Sequence, residues 1–196
     1  MQPQPIHPRS GLSVIPVTVD HAPMLAALVR QDNEHLKAYL PKVATLSSFE
    51  AARAHLERAE VRALEGEIFE WHLFVSDTLC GSVRLRDIDH DDRKASIGYF
   101  LGSPFTGKGI VTAAVHAVLA WSFETLGLNR IELRCATSNA PSTRVAERLG
   151  FVREGMLRQG ECLNGVFVDH YVYGLLKAQF DHIGRVAGST GVREHR

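Results

Sequence analysis

A glycine-rich turn that joins a predicted strand to a predicted helix constrains the fold of this chain more than any other segment. Residues 95–101 are typical of a strand, and after Gly109 apolar residues recur every three or four positions, as in a helix. Gly107 and Gly109 lack the Cβ atoms that would keep a ligand away from the backbone. The N–H groups of residues 107–112 would be the donors of a helix start, which find no acceptor within the helix. The segment therefore predicts an anion site suited to a pyrophosphate, the alternative being a purely structural turn. It matches neither GxGxxG nor GxxxxGK[ST].

The composition limits the classes of protein to which the chain can belong. Its 196 residues are 45% hydrophobic, enough for one substantial core. The 22 basic and 22 acidic side chains give a formal net charge of +0, so no overall field indicates nucleic acid or an anionic membrane as a partner. The cysteines and histidines form neither CxxC nor HExxH, so we expect no metal site and reduced, buried thiols at Cys80, Cys135 and Cys162. No apolar run approaches the roughly 18 residues that span a membrane and no signal sequence is recognisable, which predicts a cytoplasmic location.

Three segments of different character divide the chain. Residues 1–10 predict a flexible arm, residues 11–180 one folded domain, and residues 181–196 a flexible tail. The domain is expected to begin with a strand at 12–17, helices between Asp20 and Pro41, and a helix that runs from a capping box at 47–50 to about residue 64. Strands are then predicted at 69–76, 79–86 and 94–101, with a hairpin turn at Asp77-Thr78 and a charged loop at 87–93.

The second half of the domain has sharper boundary signals. Strict alternation over residues 130–136 predicts a strand, and the strand, helix, strand unit that it closes predicts a parallel crossover. Asn139 is a candidate N-cap for a short helix that Gly150 would end in the left-handed conformation. Asn164-Gly165 predicts a two-residue turn between strands at 152–163 and 166–176.

Several separated motifs together resemble the GNAT acyltransferase family, and within it the RimJ/RimL type of ribosomal-protein N-terminal acetyltransferase. The resemblance covers residues from about 10 to 180. The general motifs are Thr106-Gly-Lys-Gly-Ile-Val-Thr112, Asn139-x-x-Ser142, Arg148-Leu-Gly-Phe151 and Glu154-Gly155. The motifs of the narrower type are Asn33-Glu-His-Leu36 with Leu40-Pro41, and Glu161-x-x-x-Gly165-x-x-x-Asp169-x-x-x-Tyr173.

This resemblance implies an α+β fold with a mixed, mostly antiparallel sheet that is flanked by helices and splays open between the fourth and fifth strands. Acetyl-CoA would lie in the gap, with no metal required. The residues implied to contact it are Phe100, Leu101, Thr106, Gly107, Lys108, Gly109, Ile110, Val111, Thr112, Asn139 and Ser142. Two of these depart from the family pattern: Thr106 replaces a long polar residue, and Val111 replaces Gly or Ala and is expected to add bulk near the phosphates.

The resemblance also implies roles for side chains in the reaction. Glu161 would act as the base through a water molecule, and Ser142 would protonate the departing thiolate, while residues 33–35 (Asn33, Glu34, His35) would contact the acceptor. Each has a plainer alternative. Glu161 could be a surface carboxylate paired with Arg158 or Arg153, Ser142 could be a helix cap, and residues 33–35 could be a solvated helix face.

The expected acceptor is the N-terminal α-amine of a protein. Such an amine, with a pKa of roughly 7.7 to 8.0, is already partly neutral near neutral pH, whereas a lysine amine at about 10.4 is not. Two other functions stay open at this point: an acetyltransferase for a small amine such as an antibiotic or polyamine, and a non-catalytic acyl-CoA-binding module. Residues Val166, Val168 and Val172 on the last hairpin form an apolar surface that predicts a homodimer.

Overall fold

The computed structural model describes the backbone of residues 3–189 as eight strands and seven α-helices, with side chains through residue 183. The strands are β1 (Ile6–Arg9), β2 (Leu12–Pro16), β3 (Phe69–Val75), β4 (Thr78–Asp89), β5 (Lys94–Leu101), β6 (Arg130–Ala136), β7 (Val152–Leu163) and β8 (Val166–Leu176). The helices are α1 (Ala22–Gln31), α2 (Asn33–Tyr39), α3 (Pro41–Ala44), α4 (Phe49–Leu64), α5 (Ile110–Glu124), α6 (Ala140–Arg148) and α7 (Lys177–Ser189).

All strands belong to one sheet, in the order β1-β2-β3-β4-β5-β6-β8-β7. Every neighbouring pair is antiparallel except β5 and β6, which confirms the predicted parallel crossover. The parallel pairing joins only residues 94–97 of β5 to residues 130–133 of β6. Beyond that point β5 continues to Leu101 and β6 to Ala136, each paired with its other neighbour alone. The sheet therefore splays between these strands, which are the predicted fourth and fifth once β1 is added to the count.

The two faces of the sheet are covered by different helices. Side chains of opposite register partners lie on the same face, and alternate residues of a strand lie on opposite faces. One face packs against α5 in a core that includes Trp71, Val83 and Leu133. The other packs against α1, α2 and α4, where Leu36 and Phe100 share a second core. We call these the α5 face and the α2 face.

A buried polar cluster interrupts the α2 face at β3 and β4. The Glu70 carboxylate accepts a hydrogen bond from Ser82 at 3.0 Å and lies 3.2 Å from His55 Nε2. Burial raises the pKa of Glu70, but the hydrogen bond with His55 and the nearby charges outweigh burial and hold that pKa below its ordinary value. His72 is fully buried, and burial lowers its pKa to about 3 against the opposing charge of Glu70. His72 Nδ1 lies 3.0 Å from His21 Nδ1, and burial lowers the pKa of His21 as well.

The ends of the chain correct two expectations. Residues 6–9 of the predicted arm form the edge strand β1, which pairs with β2 and packs beside α5. Residues 181–189 of the predicted tail belong to α7, where Phe180 stacks on Phe123 and Lys177 bonds Asp181 at 2.6 Å. Residues 190–196 lie outside the described part. Within residues 3–189 no helix is both long and apolar enough to cross a membrane.

Most internal boundaries lie within a residue or two of their predicted positions. The N-cap of α4 is Ser48, whose hydroxyl accepts from the Ala51 N–H, so the predicted capping box was placed one residue early. The β3–β4 hairpin turns at Ser76-Asp77, which both have positive φ, one residue before the predicted turn. β4 extends to Asp89, so the predicted loop at 87–93 is shorter. The turn at Asn164-Gly165 is confirmed, with φ of 51° and 86°.

Candidate active site

The gap between β5 and β6 opens into a cavity of about 880 Å³. Its walls come from α2, β5, the glycine turn, β6, α6 and the β7–β8 hairpin. Every residue predicted to contact the cofactor lines it except Lys108: Phe100, Leu101, Thr106, Gly107, Gly109, Ile110, Val111, Thr112, Asn139 and Ser142. The splayed sheet thus brings together residues of four separate elements, as the resemblance implied.

The glycine turn has the backbone geometry of an anion site. Gly107 and Gly109 have φ of 74° and 70°, in the left-handed region where a Cβ atom is strained. Gly109 is the N-cap of α5, and Ala113 is the first residue whose N–H bonds back into the helix, at 3.1 Å from Gly109 O. The amides between them have no acceptor in the described part of the chain. These residues line the cavity at the positive end of a 15-residue helix, which suits an anion.

Three side chains at this turn make their contacts within the protein. Thr106 Oγ1 donates to Ser103 O at 2.8 Å, so the residue that departs from the family pattern closes the preceding 3-10 turn. Lys108 Nζ donates to Pro104 O and lies over the Phe105 ring, so its side chain turns away from the cavity. Val111 is 9% exposed and packs in the core of the α5 face. Val111 also lines the cavity, so most of its bulk lies in the core and its effect on the phosphates stays a prediction.

Two residues of other elements, which the sequence did not predict as part of the site, form hydrogen bonds with the glycine turn. Asp32, between α1 and α2, accepts from both the backbone N–H and the hydroxyl of Ser103, each at 2.6 Å. Arg9 of β1 donates to Lys108 O at 3.0 Å. Both contacts join segments more than 70 residues apart in sequence. No local signal in the sequence could have revealed them.

Asn139 and Ser142 open α6 at the edge of the gap. Asn139 Oδ1 accepts from the Ser142 N–H at 3.2 Å, which confirms Asn139 as the N-cap and leaves its Nδ2 group for a ligand. The cap is thus made by Asn139, and the Ser142 hydroxyl is free of that role. It lies 2.8 Å from the Tyr99 hydroxyl. Burial raises the pKa of Tyr99, which keeps this phenol protonated at neutral pH.

The cysteines fit no covalent acyl-enzyme. Cys135 lines the cavity with its Sγ 3.9 Å from Thr143 Oγ1, and burial raises the pKa of its thiol. Burial also raises the pKa of Cys80, to about 11. A neutral thiol is a poor nucleophile. Cys80 and Cys135 are buried as predicted, but Cys162 is exposed, so the expectation of three buried thiols was wrong there.

A bulge in β7 precedes Glu161. The pairing passes from Leu157–His170 to Glu161–Val168, so three residues of β7 lie opposite Asp169 alone. Asp169 Oδ1 accepts from the N–H of Gln159, whose φ is 50°, and thereby holds the bulge. Glu161 lines the cavity, with Oε2 3.1 Å from His170 Nε2, an ion-pair distance without hydrogen-bond alignment. Its partner is thus His170, and neither Arg153 nor Arg158 forms the ion pair that the plainer interpretation required.

Only one of the three predicted acceptor residues lines the cavity. His35 does, together with Leu36, Tyr39 and Leu40 of the same region. Asn33 uses its side-chain amide to donate to Ala44 O at 2.8 Å, which ties α2 to α3, and Glu34 is not among the lining residues. Helix α2 is therefore part of the site through its second half, and Leu40, which follows it, also lines the cavity.

The charge of the cavity wall is positive. Arg86, Arg134, Arg144 and Arg148 line it, and Glu161 is the only carboxylate that does so among the described residues. Residues 3–189 contain no group of three His, Cys, Asp or Glu side chains arranged to hold a metal ion.

Comparison with known proteins agrees with this geometry. The profile of the family described as "Acetyltransferase (GNAT) domain" matches residues 12–152. The putative ribosomal N-acetyltransferase YdaF of Bacillus subtilis is 36% identical over 82% of this chain and 88% of its own length. The ribosomal-protein-serine acetyltransferase of Escherichia coli is 28% identical over 83% of this chain and 91% of its own.

A solved structure of RimL, a ribosomal-protein alpha-N-acetyltransferase in complex with coenzyme A, is also similar. It is 25% identical and superposes with a TM-score of 0.83 over 88% of this chain and 97% of that one.

Proposed function

The chain belongs to the GNAT acetyltransferase family, and from this premise we propose that it transfers the acetyl group of acetyl-CoA to the N-terminal α-amine of a protein, with ribosomal proteins as the acceptor class. The observation that carries the proposal is a single cavity with amide donors of the glycine turn on one side and Glu161 on the other. The ribosomal acceptors named for its relatives support the acceptor class. Such acceptors would place the activity in the cytoplasm.

The α5 face would hold the cofactor. The amides of residues 107–112 suit the pyrophosphate, and the unpaired edge of β5 at Phe100 and Leu101 suits the amide groups of the pantetheine. Asn139 Nδ2 would add a donor to the same chain of amides. Arg144 and Arg148 of α6 line this side of the cavity and would neutralise phosphate charge.

The reaction is a direct transfer in a ternary complex. The neutral amine nitrogen attacks the thioester carbonyl carbon, a C–N bond forms, and the C–S bond breaks as the thiolate leaves. Before the attack, the proton of the ammonium form passes to Glu161 through a water molecule. The thiolate receives a proton from the Ser142 hydroxyl, which solvent replaces, and the proton that the nitrogen loses as the amide forms is released to solvent. Glu161 is half-exposed, which leaves room for that water.

Tyr99 would orient Ser142 for this step. In this proposal the phenol, which stays protonated, donates to Ser142 Oγ and leaves the serine proton to point at the sulfur. Tyr99 is therefore a positioning residue in this proposal, since it acts through Ser142.

The test is CoA-thiol release from acetyl-CoA against peptide N-termini, lysine side chains in N-terminally blocked peptides, polyamines and aminoglycosides. We expect release with free peptide N-termini, and mass spectrometry should locate the acetyl group on the α-amine. Acetylation of polyamines or aminoglycosides alone would replace the protein acceptor with a small amine. Measurable CoA binding without release for any acceptor would indicate a non-catalytic module.

The β7–β8 hairpin supports pairing of two copies. Its exposed apolar side chains include Val166 and Phe167, at 64% and 63% exposure, and Met156 at 50%. Val168 and Val172, which the sequence also suggested for this surface, are half-buried. Burial of such a surface is the usual basis of a dimer. Sedimentation that gives only monomer across the micromolar range would contradict it.

A further inference from the structure

The two arginines that line the cavity from the strands lie on the same face of the sheet. Arg86 is opposite Ser96 in the β4–β5 register, and Ser96 is opposite Glu132 in the β5–β6 register. Because opposite partners share a face and alternate residues return to it, Arg86, Glu132 and Arg134 all lie on one face. Phe100, four residues after Ser96, packs in the core with α1, α2 and α4, which identifies this as the α2 face.

This position separates the two arginines from the proposed phosphate site. The glycine turn leads into α5, which packs on the opposite face together with Ile97 and Leu133. The cofactor phosphates would therefore be on the α5 side, where Arg144 and Arg148 are available. Arg86 and Arg134 instead share the α2 side of the cavity with His35, Tyr39 and Glu161, where an acceptor amine would arrive.

Each of the two arginines is held by a carboxylate that does not line the cavity. Arg86 is ion-paired with Asp87, and Arg134 Nε donates to Glu132 Oε1 at 2.6 Å. A guanidinium has five N–H donors, so one such bond leaves most of them for a ligand. The carboxylates therefore restrain two arginines that line the cavity, an arrangement that reduces the entropy lost on binding an anion.

We infer that the acceptor is an acidic N-terminus, in which carboxylate side chains shortly after the reacting amine bind Arg86 and Arg134. This inference rests on the proposed function and specifies its acceptor. The planar guanidinium groups suit a carboxylate, and the same charges repel polyamines and aminoglycosides. Glu161 and His170 remain beside the amine itself.

The experiment uses three peptides of equal length with the same first residue. They carry glutamate, glutamine or lysine at the second to fourth positions, and kcat/KM is measured for each at low and at physiological ionic strength. We expect kcat/KM to be highest for the acidic peptide, intermediate for the neutral one and lowest for the basic one. These differences should shrink as the ionic strength rises. Arg86→Gln and Arg134→Gln should each raise KM for the acidic peptide about fivefold, and should change KM for the neutral peptide and for acetyl-CoA by less than that.

A charge reversal and a matched control complete the test. The double variant Arg86→Glu/Arg134→Glu should prefer the lysine peptide, whereas Arg58→Gln, an exposed arginine of α4 outside the cavity, should behave as the wild type. Equal turnover of all three peptides, or an equal loss for all three in the arginine variants, would overturn the acidic acceptor and leave the proposed function standing. Acetyl-CoA binding with no acetylation of any peptide would overturn both.

Discussion

The two faces of the cavity present different kinds of chemical groups to a ligand. On the α5 face the proposed ligand contacts are mainly backbone amides, fixed by two left-handed glycines and a helix start within one short segment. On the α2 face they are side chains from α2, β4, β6, β7 and β8. A backbone site keeps its geometry under most substitutions outside its glycines, whereas a side-chain site can be altered one residue at a time. A substitution on the α2 face should therefore alter ligand contacts there without changing the backbone contacts of the α5 face.

The largest expected effect separates the two proposed proton-transfer residues, one on each side of the cavity. Glu161→Gln and Ser142→Ala should each lower kcat by roughly 10² to 10⁴, the usual value of general acid or base assistance. An acceptor amine with a pKa below the assay pH needs no base, so it should restore the Glu161 variant and leave the Ser142 variant impaired. The measurement is the pH dependence of kcat with both kinds of acceptor.

Glu65→Gln, at an exposed carboxylate of the turn after α4, is the matched control and should keep wild-type activity. If Glu161→Gln turns over every acceptor normally at neutral pH, Glu161 is a surface carboxylate and the base lies elsewhere, with His35 the next candidate.

The second effect tests whether the α5 face depends on its backbone. Acetyl-CoA at a hundredfold excess over its Kd should raise the stability of the wild type by about 2.7 kcal/mol, and ATP should do much less. Gly109→Val should lose this protection, because the left-handed backbone is strained by a β-branched residue and the side chain blocks the approach of a ligand. Thermal unfolding with and without ligand measures both.

Gly127→Val controls for strain alone. Gly127 has a φ of 66° in the loop after α5, with open space where its Cβ would lie, so the substitution should cost similar stability. Its protection by acetyl-CoA should match the wild type. Equal loss of protection in both variants would mean that the turn has no special part in binding.

The third effect concerns stability at acidic pH, which should depend on the buried polar cluster of the α2 face. The pKa of His72 is about 3 in the folded chain, and the ordinary value is about 6.5. Between these values the unfolded chain binds a proton that the folded chain does not, so stability should fall as the pH drops from about 6.5 toward about 3, by up to ~1.4 kcal/mol per pH unit. The lowered pKa of His21 acts in the same direction. The lowered pKa of Glu70 adds a further loss of stability once the pH falls below the ordinary pKa of a glutamate.

Urea unfolding between pH 7.5 and pH 5 measures this slope. His72→Phe removes one titrating group from the cluster and should flatten it, whereas His90→Gln, at an exposed turn, should keep it. A slope that His72→Phe leaves unchanged would assign the acid sensitivity to other groups.

The smallest effect tests whether the two faces are independent. Asp32 begins α2 on the acceptor side, yet its carboxylate holds Ser103 at the start of the glycine turn. Asp32→Ala should raise KM for acetyl-CoA about threefold, the value of roughly one exposed hydrogen bond, with little change in the melting temperature. Ser103→Ala keeps the backbone contact and should have a smaller effect. A change confined to the acceptor KM would show that Asp32 acts on α2 instead.

The sequence predicted those parts of the molecule whose signals are local. The N-cap at Asn139, the left-handed Gly150 after α6, the turn at Asn164-Gly165 and the alternation of β6 each depend on neighbouring residues, and the structure has them where they were predicted. The edge strand β1 was missed because its proline suggested an irregular arm. An edge strand tolerates proline, since it has a neighbour on one side only.

The α2 side of the cavity was less predictable for a physical reason. Arg86 and Arg134 share a face only because the sheet pairs β4, β5 and β6, and Glu161 and His170 lie together only because β7 pairs with β8. Asn33 was assigned to the acceptor from the motif around it, but its amide bonds to Ala44 O. Motifs describe neighbours along the chain, and these contacts depend on neighbours in space.

The short parallel pairing of β5 with β6 has a mechanical consequence. Only residues 94–97 of β5 pair with residues 130–133 of β6, so the connection between the halves of the sheet is narrower than either half. A force that pulls β4 and β8 apart would load these few hydrogen bonds first and widen the gap before either half ruptured. A cofactor that bonded to β5 on one side and to Asn139 on the other would add a second connection across the gap. The loaded enzyme should therefore resist such a force better than the empty one.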